Sequence, residues 1–160
     1  MKKYLLSTLA DGICVVLLSV CPILCYASAF SVKLEASVLI MAAVLFSIVF
    51  SLLSAFVKSN LKYALCMTVI GFVAFLVFVF ANERIFAQAN YAINKLLELY
   101  SVYLSVYSNI KFASYIANDA TGFFVLLSLI LNGLFSFLIS RIKSIKIAGL
   151  LSIALLVPCF

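Results

Sequence analysis

Four apolar blocks without a charged residue restrict what this chain of 160 residues can fold into. They cover residues 12–32, 36–57, 63–81 and 120–140. Each is long enough to cross a hydrocarbon core of about 30 Å as an α-helix, which rises about 1.5 Å per residue. Hydrophobic residues make up 68% of the sequence and charged residues 10%, whereas a soluble domain has about 45–50% and about 25%. The sequence therefore predicts an integral membrane protein.

A fifth apolar block, residues 147–160, is too short for an ordinary span. If it were a complete helix, its terminal carboxylate would lie in or near hydrocarbon, where a charge costs about 2.5 kcal/mol or more. A truncated reading frame or a fragment explains this better than a deliberate terminus, and a re-entrant last helix is the alternative. We predict an all-α, polytopic membrane helix bundle in one domain, residues 1–160, with four full spans plus a fifth truncated or re-entrant apolar helix.

The first block has a second interpretation as a cleavable signal peptide. Lys2 and Lys3 precede it, and the small residues 27–29 resemble a cleavage site. Against this, the apolar run is long, Asp11 interrupts its start, and further apolar blocks follow directly. We therefore favour a first membrane span, in which Pro22 is expected to introduce a kink.

The orientation follows from the basic residues in the short connections between blocks. With the N-terminus in the cytoplasm, seven basic residues fall on the inner side and four on the outer side. The inner set is Lys2, Lys3, Lys58, Lys62, Arg141, Lys143 and Lys146, and the outer set is Lys33, Arg84, Lys95 and Lys111. The distribution predicts a cytoplasmic N-terminus. It also argues against nucleic-acid binding, because the charges lie at the ends of apolar blocks and form no single patch.

The connection between the third and fourth blocks predicts an external amphipathic interfacial helix over about residues 84–107. Its apolar stripe has helical spacing, and an opposite stripe is polar. The apolar stripe is Ile85, Ala89, Ala92, Leu96, Tyr100, Tyr103 and Tyr107, and the polar stripe is Asn90, Asn94, Glu98, Ser101, Ser105 and Ser108. Tyr100, Tyr103 and Tyr107 are candidate interfacial anchors, since a tyrosine ring suits the boundary between lipid and water. Asn118 and Asp119 offer caps for the next helix.

Asn132 is the one candidate intramembrane polar contact, because it lies near the middle of the fourth block. A polar side chain at that depth is a functional candidate by default. The alternative, which we favour, is a hydrogen bond between helices that fixes their packing. The chain has no histidine, so neither a Ser-His-Asp triad nor a Cys-His pair can form within it. We predict no catalytic residue, no cofactor and no metal site in these residues.

The order of the segments resembles a known family. Closely spaced apolar spans are followed by the amphipathic stretch YAINKLLELYSVYLSVYSNI, the span ATGFFVLLSLILNGLFSFLI and the basic turn SRIKSIK. This arrangement resembles the N-terminal transmembrane region of bacterial multi-pass membrane proteins with an extracytoplasmic transglutaminase-like domain. The resemblance implies a bacterial cytoplasmic membrane and an odd number of initial spans that deliver a downstream domain outside, which five spans from a cytoplasmic N-terminus would do here. It also implies that the Cys-His-Asp residues belong to that downstream domain.

We therefore expect a membrane-anchoring region of a transglutaminase-like protein, a fragment that lacks the external domain and has no catalytic activity itself. Its partners would be the lipid bilayer and that downstream extracytoplasmic domain. A small transporter subunit or permease fragment is the first alternative, and it predicts a polar cavity around Asn132. A small membrane interaction or immunity protein is the second alternative.

Overall fold

Helices make up almost all of the described chain. The computed structural model describes the backbone of residues 2–80, 82–104 and 117–157, and the side chains of residues 9–80, 83–101 and 117–157. Within these ranges there is no strand, and the elements are α1 (Lys2–Ala29), α2 (Ala36–Phe56), α3 (Asn60–Phe80), α4 (Asn82–Leu104), α5 (Thr121–Phe137), a π-helical turn (Leu138–Ile142) and α6 (Ile145–Leu156). The predicted all-α fold is confirmed.

Four of these helical stretches are long and apolar enough to cross a membrane. They are Leu9–Ala29, Ala36–Phe56, Asn60–Phe80 and Thr121–Ile142. α6 is a shorter apolar helix of 12 residues, or about 18 Å. Large apolar side chains on these helices point outward, including Phe56 at 82% exposure and Phe80 at 85%. In water such a surface would drive aggregation, so the chain is a multi-pass membrane protein.

α1, α2, α5 and α6 form the packed core of the bundle. α5 is central, because it packs against α1, α2 and α4. Its side chains Phe124 and Phe135 are buried against Ile23 of α1 and Leu39 of α2 in one apolar cluster. α6 packs along α1. The two ends of this core differ, and we call the end that holds the α2–α3 connection and the π-helical turn the basic end, after Lys58, Arg141 and Lys143.

α3 is attached to the core at its two ends. Tyr63 is its one buried residue, and the Tyr63 hydroxyl and Ser136 Oγ of α5 lie 3.3 Å apart in a hydrogen bond. At the other end Phe78 meets Phe86 of α4 edge to face, with ring centroids 4.9 Å apart. Between these attachments α3 and α5 enclose an apolar groove of about 660 Å³. Most of α3 therefore presents apolar side chains to the surroundings of the protein.

α4 packs on the end of the core opposite the basic end. Ile85, Ala89 and Ala92 of the predicted apolar stripe are buried, as expected for the inner face of the helix. Asn90 is buried too, at 8% exposure, although the sequence pattern placed it on the solvent face. Since residues of both stripes are buried, the first half of α4 is enclosed on more than one side. Its buried polar side chains must therefore bind groups within the protein. Its Gln88 shows how this happens.

Gln88 caps the beginning of α5 from a different helix. Its Oε1 accepts a hydrogen bond from the backbone N–H of Phe123 at 2.8 Å. The N-cap of α5 is Ala120, which makes no side-chain cap bond, so the caps expected from Asn118 and Asp119 are not used at this position. Gly122 allows the approach, since a Cβ there would lie 2.7 Å from the Gln88 Oε1. A buried glutamine thus satisfies one of the unpaired N–H groups that begin a helix.

Disturbing this cap from either side is expected to cost the same stability. Gln88→Leu should lower the free energy of unfolding by about 1 kcal/mol, the usual value of an N-cap. Gly122→Ala should cost a similar amount, because the added methyl group pushes Oε1 away. The double variant should lose little more than either single variant, as a double-mutant cycle of unfolding in detergent would measure. Gly71→Ala is the matched control, since a Cβ at Gly71 meets nothing within 4 Å.

Candidate functional site

Small polar side chains form stripes on the inner faces of two helices. Residues three or four apart lie on the same face of a helix, and the polar residues follow these spacings. The stripe on α5 and the π-helical turn is Ser128, Asn132, Ser136 and Ser140, and the stripe on α2 is Ser47, Ser51 and Ser54. Sequence reasoning singled out Asn132 and missed the serines, although polar residues recur every four positions on either side of Asn132 and this spacing would have revealed them.

Asn132 links α5 to α1 in the middle of the core. It is fully buried, and its Nδ2 donates to Ser19 Oγ at 3.0 Å and to the Ser128 carbonyl at 2.8 Å. Ser19 Oγ in turn donates to the Val16 carbonyl at 3.0 Å. The Asn132 Oδ1 is buried and has no partner among the described residues. Asn132 contacts packed side chains and lines none of the cavities described in this bundle, so its geometry is that of a contact between helices.

Hydroxyl groups from α2 and α6 bind backbone carbonyls of α1. Ser47 Oγ of α2 donates to the Gly12 carbonyl at 3.0 Å, and the contact from α6 lies near Pro22. Pro22 has no N–H, which leaves the carbonyl four residues earlier, at Leu18, without its helical partner. Ser152 Oγ of α6 donates to this carbonyl at 3.3 Å. Because Leu18 precedes Ser19, the middle of α6 lies at the same level of the bundle as Asn132. α6 is therefore fixed to the core by a polar contact as well as by its apolar face.

Arg141 fastens the end of α2 to the π-helical turn. Its Nη1 donates to the Lys58 carbonyl at 3.3 Å, and its Nη2 donates to the carbonyls of Ser54, at 3.2 Å, and Val57. The guanidinium carbon also lies 4.6 Å from the centre of the Tyr63 ring, a cation–π distance. Carbonyls at the end of a helix lack helical partners and carry partial negative charge. Arg141 thus neutralises the end of α2 and holds the start of α3.

A polar cleft of about 500 Å³ opens at the basic end between α1, α2 and the π-helical turn. We call it the polar cleft, and it is lined by Asp11, Val15, Ser51, Ser54, Ala55, Ser136, Ile139, Ser140, Lys143 and Ile145. It combines a carboxylate, an ammonium group and four hydroxyl groups. Such a set can bind a polar or charged group by hydrogen bonds, and it contains no pairing of a nucleophile with a histidine base. The sequence placed Asp11 and Lys143 separately and did not bring them together.

The candidate interfacial tyrosines lie on α4 and beyond it. Tyr100 is half-buried, and its ring centre lies 6.2 Å from that of Phe30 at the end of α1. The side chain of Tyr103 and the whole of Tyr107 lie outside the described residues. Tyr26, which the sequence did not single out, ties α1 to α4 by donating its hydroxyl to the Ala92 carbonyl at 3.2 Å. The location of this helix at a membrane surface stays a prediction.

Comparisons with protein-family models, with curated proteins and with solved structures find no match for this chain. The functional interpretation therefore depends on the arrangement of its own side chains. In that arrangement the buried polar groups hold helices together, while the polar cleft at the basic end is the place where a ligand could be bound. The transglutaminase-like association stays a prediction of the sequence resemblance.

Proposed function

We propose that this chain is a membrane anchor that holds an attached extracytoplasmic domain at a bacterial cytoplasmic membrane. The observation that carries the proposal is the use of its buried and half-buried polar side chains. Asn132, Arg141, Gln88 and Ser152 each bind a neighbouring helix or its backbone. Polar groups used in this way fix the positions of helices, which is what an anchor requires. The attached domain, of the transglutaminase-like kind, is the part of the proposal that comes from the resemblance.

A transporter fits the geometry less well. Substrate paths in transporters pass through polar cavities near the middle of the membrane. In this bundle Asn132 is fully buried against Ser19 and Ser128. The polar cleft begins one helical turn away, at Ser136, and leads to the basic end. A closed contact at the level of Asn132 favours anchoring over transport.

Reporter fusions at successive connections test the anchor. Alkaline phosphatase is active outside the cytoplasmic membrane, whereas green fluorescent protein is fluorescent inside it. Phosphatase activity is expected for fusions after Lys33 and Asn118, and fluorescence for fusions after Ser59 and Ser144. The basic connections should be retained inside, and a fifth crossing that begins at α6 and is completed downstream should place an attached domain outside.

A fusion placed after the native sequence that completes the fifth crossing decides the matter. Fluorescence without phosphatase activity at that point would show that the chain does not deliver a downstream domain to the outside, and the anchor proposal would fail. The reading frame beyond the Phe160 codon gives an independent check. A soluble region with Cys, His and Asp residues is expected there, and a stop codon in its place contradicts the proposed domain.

A further inference from the structure

The polar cleft holds two opposite charges that the described protein does not neutralise. Asp11 lies on α1, and Lys143 follows the π-helical turn. Within the described side chains the one ion pair is Lys95 with Glu98 on α4, at 2.8 Å. Asp11 and Lys143 therefore line the same cleft without forming an ion pair with each other. A ligand with one positive and one negative group would complement both of them.

The backbone at Lys143 has a conformation that a lysine rarely adopts. Its φ of 54° and ψ of 32° lie in the left-handed region, where glycine is the usual residue after a helix. The preceding turn is π-helical, a form that occurs frequently at functional sites. With this backbone conformation, Lys143 lies in the wall of the cleft. Unfavourable backbone conformations persist at functional sites when the surrounding structure fixes them.

The remaining walls suit a headgroup that enters from a bilayer. Hydroxyl groups of Ser51, Ser54 and Ser140 supply hydrogen-bond donors and acceptors. Ile145, also in the wall, is 56% exposed and gives the cleft an apolar edge. The cleft opens at the end of membrane-crossing helices, where lipid headgroups lie. A polar soluble solute gains nothing from contact with an apolar edge, whereas the glycerol and acyl part of a lipid can pack against it.

We propose that the polar cleft binds the headgroup of phosphatidylethanolamine. In this arrangement the lipid ammonium donates hydrogen bonds to the Asp11 carboxylate and to serine hydroxyls, while the lipid phosphate accepts from the Lys143 ammonium. Hydrogen bonds between charged groups are roughly twice as strong as neutral ones. The proposal goes beyond anchoring, because it assigns a specific lipid to one site and holds for either orientation of the chain.

Two other common headgroups can bind Lys143 through their phosphate, but they cannot donate a hydrogen bond from a charged group to Asp11. Phosphatidylcholine has a quaternary ammonium group without an N–H, so it cannot donate a hydrogen bond to Asp11. Phosphatidylglycerol has no cation, so its glycerol hydroxyl groups can offer the Asp11 carboxylate only the weaker hydrogen bonds of a neutral donor. The site should therefore prefer phosphatidylethanolamine to both lipids, although all three contain a phosphate.

Native mass spectrometry of the purified full chain tests the preference directly. The chain in detergent is titrated with the three lipids, each with the same acyl chains, and the lipid-bound fraction is measured. Phosphatidylethanolamine is expected to bind about tenfold more tightly than the other two. Equal binding of phosphatidylethanolamine and phosphatidylcholine overturns the proposal. The matching free headgroup, phosphoethanolamine, should bind far more weakly, and equal affinity would assign the cleft to a soluble solute and overturn the lipid site.

Lys143→Gly separates binding from folding. Glycine adopts the left-handed backbone conformation at this position without strain, so the thermal unfolding midpoint in lipid-free detergent micelles should stay the same or rise. The same variant should lose the preference for phosphatidylethanolamine, and Asp11→Asn should lose it too. Lys146→Ala is the matched control, because Lys146 is exposed and outside the cleft. A well-folded Lys143→Gly protein that keeps the full preference overturns the proposal.

Discussion

Replacing Arg141 by alanine is expected to lower the free energy of unfolding by about 3 kcal/mol. The guanidinium donates to the carbonyls of Ser54, Val57 and Lys58 and lies over the Tyr63 ring. Hydrogen bonds to a charged group contribute about 1.5–3 kcal/mol each, and their loss leaves carbonyls of α2 without a partner. The change is measured by reversible unfolding of the purified protein in mixed detergent micelles.

Two further variants identify the cause of this loss. Arg141→Lys keeps the positive charge but lacks the planar fork that reaches several carbonyls at once, so its stability should be intermediate. Lys146→Ala removes an exposed cation from the same end of the bundle and should change the stability by no more than about 0.5 kcal/mol. If Arg141→Ala proved as mild as Lys146→Ala, the contacts of Arg141 with α2 would carry no stability.

The same variant should also loosen the connection between α2 and α3. Tyr63 is the one buried residue of α3, and Arg141 covers its ring on the side of the basic end. Limited proteolysis after Lys58 or Lys62 is therefore expected to become faster in Arg141→Ala than in Lys146→Ala. The proteolysis rate thus tests whether Arg141, which binds the end of α2, also fixes the position of α3.

The span pattern could be predicted because a bilayer leaves few choices. An apolar block of about 20 residues must form a helix, since its backbone groups have no water to bind. The shortness of α6 followed from the same argument of length. Pro22 gave a weaker signal, because the sequence predicted a disturbed helix at this residue but not the hydroxyl of Ser152 that satisfies the freed carbonyl of Leu18.

The polar contacts could not be predicted, because they depend on how distant segments meet. Arg141 entered the sequence argument only as one of seven basic residues on the inner side, and its binding of the α2 carbonyls needs the folded bundle. Gln88 fell between the apolar and polar stripes of α4, and its partner on α5 lies 35 residues away. Asp11 was noted only as an interruption at the start of the first block and Lys143 only as an inner basic residue, because their common cleft depends on the packing of α1 against α2 and the π-helical turn.

Asn132→Asp is expected to destabilise the bundle by about 3 kcal/mol, close to the cost of placing an aspartate at the centre of a membrane helix. The Asn132 Nδ2 lies 2.8 Å from the Ser128 carbonyl, so a carboxylate at this position would set a negative oxygen against another oxygen. It would also lose the donor to Ser19. Reversible unfolding in detergent measures this loss.

Asn132→Leu is the matched control, because it has a similar volume and removes the buried Oδ1 that lacks a partner among the described residues. Its cost should be that of a hydrogen bond between membrane helices, about 0.6 kcal/mol and at most about 1.7 kcal/mol. The order of the two variants bears on function as well as on stability. An aspartate tolerated as well as leucine would mean that water reaches Asn132 and solvates the charge. In that case the core would contain a polar path at the level of Ser19 and Ser128. This result would favour the transporter alternative over the anchor.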